Sequence, residues 1–155
     1  MSVRRIITGT VNGQSTIVAD DLGPQIPMAT NVWVASRAHA LGYDPAGEKS
    51  LPLEPPPGGS NWRIVEWPPD AIYVEELARN PMEGLDSAGM HRTDTLDYVL
   101  ILDGEIELVL ETGSVLCRTG DCIVQRATTH AWRNRSNRAV RMAVVMISAP
   151  AGFSR

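Results

Sequence analysis

The sequence predicts a single all-β domain, and three features carry that prediction. Its 155 residues with 43% apolar content suffice for one core and are too few for two comfortable ones. Runs rich in Val, Ile, Leu, Thr and Trp recur through the chain, bounded by Gly, Pro, Asp, Asn or Ser. In the C-terminal half those runs are spaced as the short strands of a sandwich or barrel are.

Element by element, RRIITGTV at 4–11, STIVA at 15–19 and NVWVAS at 31–36 read as short strands joined by loops. Residues 52–69 hold six of the eleven prolines, so that stretch is neither helix nor central strand. Within it WRIVEW at 62–67 alternates well enough for one edge strand. AIYVEELARNPMEGL, from Ala71 to Leu85, is the one helical pattern, closed by Pro81, and reads as a short helix or lid. TLDYVLIL, EIELVLE, SVLCR, DCIVQR, AWRNR and VRMAVVMIS then follow as strands, punctuated by Asp103-Gly104, Thr112-Gly113, Gly120-Asp121 and Ser136-Asn137. Asp103-Gly104 predicts a two-residue hairpin, because a type I′ turn needs positive φ at both central positions. The organisation is one structural domain: N-terminal strands and a Pro-rich segment over 1–70, packing on a barrel core over 71–155.

A net charge of −4 gives nucleic acid no global electrostatic footprint. The N-terminus lacks the apolar stretch of a secretory signal and no segment approaches a membrane span, which predicts a soluble, cytoplasmic protein. Cys117 and Cys122 then read as reduced thiols. No phosphate loop, nucleophile elbow or dinucleotide fingerprint is present.

Chemistry concentrates in GMHRTDTLDYVLILDG, residues 89–104. If 91–101 runs as a strand, His91, Thr93, Thr95, Asp97, Val99 and Ile101 share one face. Val99 and Ile101 belong in a core, so His91 and Asp97 point inward with them. A carboxylate inside a barrel needs a partner or a metal. His130 in THAWRN, which shares its face with Trp132 and Asn134, supplies the missing group. Two imidazoles and one carboxylate form a set suited to non-haem Fe(II) and compatible with Mn, Ni or Zn.

The same stretch resembles the first motif of the cupin superfamily, in which a glycine-led strand carries His-x-His, a carboxylate and, after six residues, a glycine. Asp97 sits where the family has Glu, and Gly104 takes the glycine position. GDCIVQRATTHAWRN, residues 120–134, resembles the second motif, with Gly120 opening it, His130 as its histidine and Asn134 closing it. Three departures stand out: Thr93 replaces the second histidine, Asp97 is shorter than Glu, and Arg126-Ala127-Thr128 replaces Pro-x-Gly in a loop one residue shorter. The resemblance implies a double-stranded β-helix, or jelly-roll barrel, with an N-terminal strand extension, and a homodimer in which those strands join one sheet or pass to a neighbour. It also implies one divalent transition metal (Fe, Mn, Ni or Zn) held by His91, Asp97 and His130, or else a site degenerated into a polar binding pocket.

Around this set, Trp132 reads either as a core residue or as an aromatic wall, and Arg126 either as a solvated side chain or as a clamp for a substrate carboxylate. Thr93 reads as a substrate-binding residue, its hydroxyl donating to bound water, or else as a relic of the missing histidine. Tyr98 has the opposite parity and faces outward, as do Arg133 and Arg135 within the arginine-rich stretch 118–141. His39 reads as structural or exposed, Glu75 and Glu76 as surface charge, and Glu83 and Asp86 as reserve acid or base groups near the barrel mouth. Three functions follow: a metal-dependent lyase (decarboxylase or dehydratase) acting on a small carboxylate or keto/hydroxy acid, an Fe(II)-dependent dioxygenase, and a non-catalytic binder of a small metabolite.

Overall fold

The structure is a computed structural model that describes residues 3–36, 53–80, 86 and 88–149. Eleven strands and one helix are described, in the order β1 (Arg4–Val11), β2 (Gln14–Leu22), β3 (Gln25–Ile26), β4 (Ala29–Ala35), β5 (Ser60–Trp67), α1 (Asp70–Arg79), β6 (Thr95–Asp103), β7 (Glu105–Leu110), β8 (Gly113–Arg118), β9 (Cys122–Arg126), β10 (His130–Arg133) and β11 (Val140–Ser148). They form a six-stranded sheet ordered β3-β4-β5-β11-β6-β9, a three-stranded sheet ordered β10-β7-β8, and the separate hairpin β1-β2. All strand pairs are antiparallel. No described helix is long and apolar enough to cross a membrane.

The two larger sheets face each other over one core. Val99, Ile101, Val140 and Met142 come from the six-stranded sheet, and Ile106, Leu108, Cys117 and Trp132 from the three-stranded one. Consecutive strands alternate between the sheets at β6 to β7, β8 to β9 and β10 to β11, which is the jelly-roll arrangement. The fold is therefore the expected all-β jelly-roll barrel.

Two expectations fail in instructive ways. WRIVEW is not an edge strand: β5 lies between β4 and β11, inside the large sheet. Its prolines flank the strand at 55–57 and 68–69 and remove no ladder donor from within it. Nor does Asp103-Gly104 make a hairpin, since β6 and β7 belong to different sheets. Gly104 (φ +93°) turns a corner so tight that a Cβ there would stand 3.1 Å from Val140 Cγ2. The true hairpin is β7–β8, which closes with Leu110 opposite Gly113.

The helix covers Asp70–Arg79, within the predicted segment at all but its first residue, while 81–85 and with them Pro81 and Glu83 lie outside the described residues. Its start is fastened to the barrel by Asn134. The Asn134 amide donates to Asp70 Oδ1 (2.8 Å) and the Asp70 amide to the Asn134 carbonyl (2.8 Å). The fully buried Asn134 side chain donates to the carbonyls of Trp67 and Arg138, and its Oδ1 accepts from the Ser136 amide and hydroxyl.

Of the N-terminal strands, β3, β4 and β5 extend the six-stranded sheet, while β1 and β2 join neither large sheet. β1 and β2 pair only with each other, and Ile6, Val11, Ile17 and Leu22 are exposed along them. Arg5 ties this hairpin down through Asp21 (2.6 Å) and the Val32 carbonyl. Cys117 is buried and Cys122 exposed, and both thiols are free.

Candidate metal centre

The strand expected over 91–101 begins only at Thr95, yet its parity holds: Thr93, Thr95, Asp97, Val99 and Ile101 are all buried, while Tyr98 and Leu100 are exposed. His91 precedes the strand and forms an isolated antiparallel bridge to His130. The two residues exchange both backbone hydrogen bonds at 2.9 Å, and their ring centroids stand 4.3 Å apart at 51°. The topology thus brings together the two histidines that lie 39 positions apart in the sequence (130 minus 91).

Each imidazole is oriented by its own turn. His91 Nδ1 lies 3.1 Å from the Gly89 carbonyl and His130 Nδ1 lies 2.9 Å from that of Thr128. A carbonyl only accepts, so Nδ1 carries a proton in both rings, and in a neutral ring Nε2 then keeps the lone pair. Burial pushes the His130 pKa from 6.5 down to about 4, keeping that ring neutral at pH 7. Upstream of His91, Asp86 Oδ1 accepts from the amides of Ala88 and Met90 (2.8 Å each), so this reserve acid holds a turn. Before His130, Ala127 adopts φ +48°, a left-handed conformation strained for a residue with a Cβ, and its amide donates to the Thr95 carbonyl.

Asp97 is buried on β6. Desolvation raises its pKa, opposed by a hydrogen bond from Thr95 and the charge of His91, while the carboxylate of Glu54 reinforces the rise. Its Oδ1 has no hydrogen-bond partner among the described residues. Thr93 and Thr95 share a hydrogen bond of 2.7 Å. Either hydroxyl can be the donor of that bond, and Thr95 is the one that bears on the Asp97 carboxyl.

These features fit a transition-metal ion at the two histidines, whose Nδ1 atoms are both committed to backbone carbonyls so that the Nε2 atoms are the ones left to face it. The third position is less complete. Among the described residues, no group of three or more His, Cys, Asp or Glu stands close enough to hold an ion, so Asp97 does not close the set here.

Trp132 belongs to the core cluster and meets the His130 ring edge-on at 6.2 Å, so it walls the site from the apolar interior. Arg126 is exposed at the end of β9, opposite in parity to the buried Gln125. The other arginines of 118–141 are engaged mainly outside the barrel. Arg118 meets Glu105, Arg135 meets Glu107, Arg138 meets Asp103, and Arg133 donates to the Ala88 carbonyl. Glu75 pairs with Arg79, and Glu76 accepts from Asn80. His39 lies outside the described residues.

Sequence reasoning missed the polar residues that share this interior. Gln125 stands opposite Asp97, Asp97 opposite Met146, and Met146 opposite Asn61, making one inward row across four strands. Arg63 and Asn31 stand opposite each other in the next row. Asn61 Nδ2 and Arg63 Nη1 both donate to the Leu53 carbonyl (3.2 and 2.8 Å), which draws residues 53–56 across this end of the barrel.

No family model matches the chain. Phomopsin biosynthesis cluster protein C′ of Diaporthe leptostromiformis is 45% identical over 95 residues, covering 60% of this chain and 42% of that protein. The cupin-domain-containing oxidoreductase virC of Hypocrea virens is 35% identical over 49% of this chain and 32% of its own length. A similarly named protein of Neurospora crassa, srdD, is 35% identical over 56% and 39%. The chain thus spans less than half the length of the curated relatives it matches. Among solved structures, a cupin-family protein with a double-stranded β-helix fold from Methanocaldococcus jannaschii aligns with TM-score 0.46 and 12% identity, covering 73% of this chain and 93% of that one. The motifs read from the sequence lie on a jelly-roll barrel, and over part of its length the chain is similar to relatives that carry the cupin name.

Proposed function

We propose that this chain is a metal-dependent cupin enzyme that acts on a small molecule inside the barrel, with one divalent transition metal held by His91, His130 and Asp97. The observation that carries the reading is the histidine pair: backbone hydrogen bonds fix the two residues to each other, and both Nδ1 atoms are committed to carbonyls. When bound, a redox-active ion supplies oxidative chemistry and a redox-inert one supplies Lewis acidity. The chain's own residues hold and orient. Thr95, itself bonded to Thr93, steadies the Asp97 carboxyl, and Trp132 closes the site toward the core.

Of the two enzymatic readings, the Fe(II) dioxygenase stands ahead of the lyase, because three relatives are named oxidoreductases. Elemental analysis after growth with Fe, Mn, Ni and Zn tests the metal. Close to one ion per chain is expected, retained through dialysis and lost in His130→Ala and Asp97→Ala. Folded protein that stays metal-free under all four supplements overturns the reading. Oxygen uptake with candidate substrates separates oxidative from lyase chemistry.

A further inference from the structure

The interior row beside the histidines contains more hydrogen-bonding capacity than the protein uses. Among the described residues, Asn31 and Gln125 leave both ends of their amides without a partner, and Asn61 Oδ1 and Asp97 Oδ1 are likewise unmatched. All four residues are at least nine-tenths buried, at 0%, 4%, 1% and 7% exposure. Asn134, equally buried, shows the alternative in the same fold: both ends of its amide are fully matched. A buried amide left unmatched costs stability. The unmatched nitrogens of Trp67 and Arg141 lie at the opposite end of the β5–β11 pairing.

The atom types define what would match them. Four acceptors (Asn31 Oδ1, Asn61 Oδ1, Asp97 Oδ1, Gln125 Oε1) stand with two donors (Asn31 Nδ2, Gln125 Nε2). The Leu53 carbonyl fixes which way the Asn61 amide faces. Two carboxylates, Asp97 and Glu54, act on each other here against the one guanidinium of Arg63, which donates to the Leu53 carbonyl, so the field does not favour an anion. Arg126, the carboxylate clamp expected from the sequence, is exposed on the opposite face of β9. From Gln125 on β9 to Asn61 on β5 is three interstrand steps, roughly 14 Å along the sheet at about 4.8 Å each. One functional group cannot reach both.

We infer that this row is the substrate-reading surface of the proposed metal site, and that its ligand is an uncharged molecule carrying two or more amide or hydroxyl groups that both donate and accept hydrogen bonds. The inference rests on the functional reading above and replaces the small carboxylic acid with a neutral polar substrate.

The test follows the side-chain amide signals of Asn31, Asn61 and Gln125 by NMR, in metal-free and zinc-loaded full-length protein. Three probes are titrated: N-acetylglycinamide for amides, glycerol for hydroxyls, and pyruvate for keto acids. N-acetylglycinamide or glycerol is expected to shift all three residues saturably and to bind at least about fivefold more tightly than pyruvate, the scale of one hydrogen bond. The tighter of the two neutral probes identifies the group. Gln125→Leu and Gln125→Glu, each checked for fold by its backbone amide spectrum, should weaken that probe about fivefold. Pyruvate as the tightest probe in either form overturns the inference, as does the absence of any shift at these residues. Zinc binding, followed on the His91 and His130 rings of the same samples, keeps the two readings separate. Loss of zinc binding with neutral-probe binding intact removes the metal, and the converse removes this surface.

Discussion

The two ends of the barrel interior are built from the same strands and differ in almost every chemical respect. At one end Ile101, Ile106, Val140 and Met142 are at most 2% exposed and pack across the sheets with no polar side chain among them. At the other, Asn31, Asn61, Arg63, Thr93, Thr95, Asp97, Gln125 and His130 are buried too, at no more than 7% exposed. β6 links the two, running from Thr95 and Asp97 to Val99 and Ile101 along a single face. The dry end carries stability, because buried apolar area is what folding gains from. The polar end carries unmatched groups that cost stability and acquire partners only when something binds.

Mutations should therefore change sign with position. The largest effect is expected at the dry end, where Ile101→Ala leaves a cavity and should destabilise the protein by about 2–5 kcal/mol in urea unfolding, with metal content unchanged. Loss of metal alongside would show that the two ends are not separable.

Acid should act at the polar end. In metal-free protein His130 stays neutral to about pH 4, whereas in the unfolded chain it protonates near its ordinary value of 6.5. Between those values the unfolded chain binds the extra proton, so stability falls as pH falls through the window, by on the order of 2–3 kcal/mol. Asp97 works in the opposite direction: with its pKa raised, the folded state takes up a proton first, and this offsets part of the loss. Unfolding midpoints from pH 7 to 4 measure the sum, and a His130→Asn variant should show a flatter profile.

A smaller effect of opposite sign is expected for Asp97→Asn, which removes a buried charge while keeping its shape. Thermal unfolding of the metal-free variant should show a gain of about 1 kcal/mol, together with weakened metal retention and a steeper acid loss. Smallest is Ala127→Gly, which relieves the left-handed conformation before His130 and should stabilise by about 0.5–1 kcal/mol. A destabilised glycine variant would mean that the loop conformation is held without strain.

The same contrast explains what could be read in advance. Most strands were legible because alternation and bounding turn residues are local signals, and β1, β6 and β11 fall where their runs predict. Local signals do not say which sheet a strand joins. Asp103-Gly104 correctly announces a reversal with positive φ, yet its next strand crosses to the opposite sheet. In β5 the large apolar Trp62 faces outward, while Asn61 and Arg63 face in. Hydrophobic parity is inverted where the interior is polar, so the binding row was hidden by the rule that finds cores. The histidines were legible from motif spacing. That they meet as a backbone bridge, with Asp97 set apart and buttressed by Thr95, follows from how the sheets close.

The reciprocal bond between His91 and His130 also makes the site its own clock. Each histidine amide proton points into the other's carbonyl, so neither can trade for deuterium until the bridge parts. Their isotope-exchange rates therefore report how often this mouth of the barrel opens, independently of unfolding elsewhere. An ion gripping both imidazoles would slow those two protons together, converting occupancy of the centre into a time measured on the main chain.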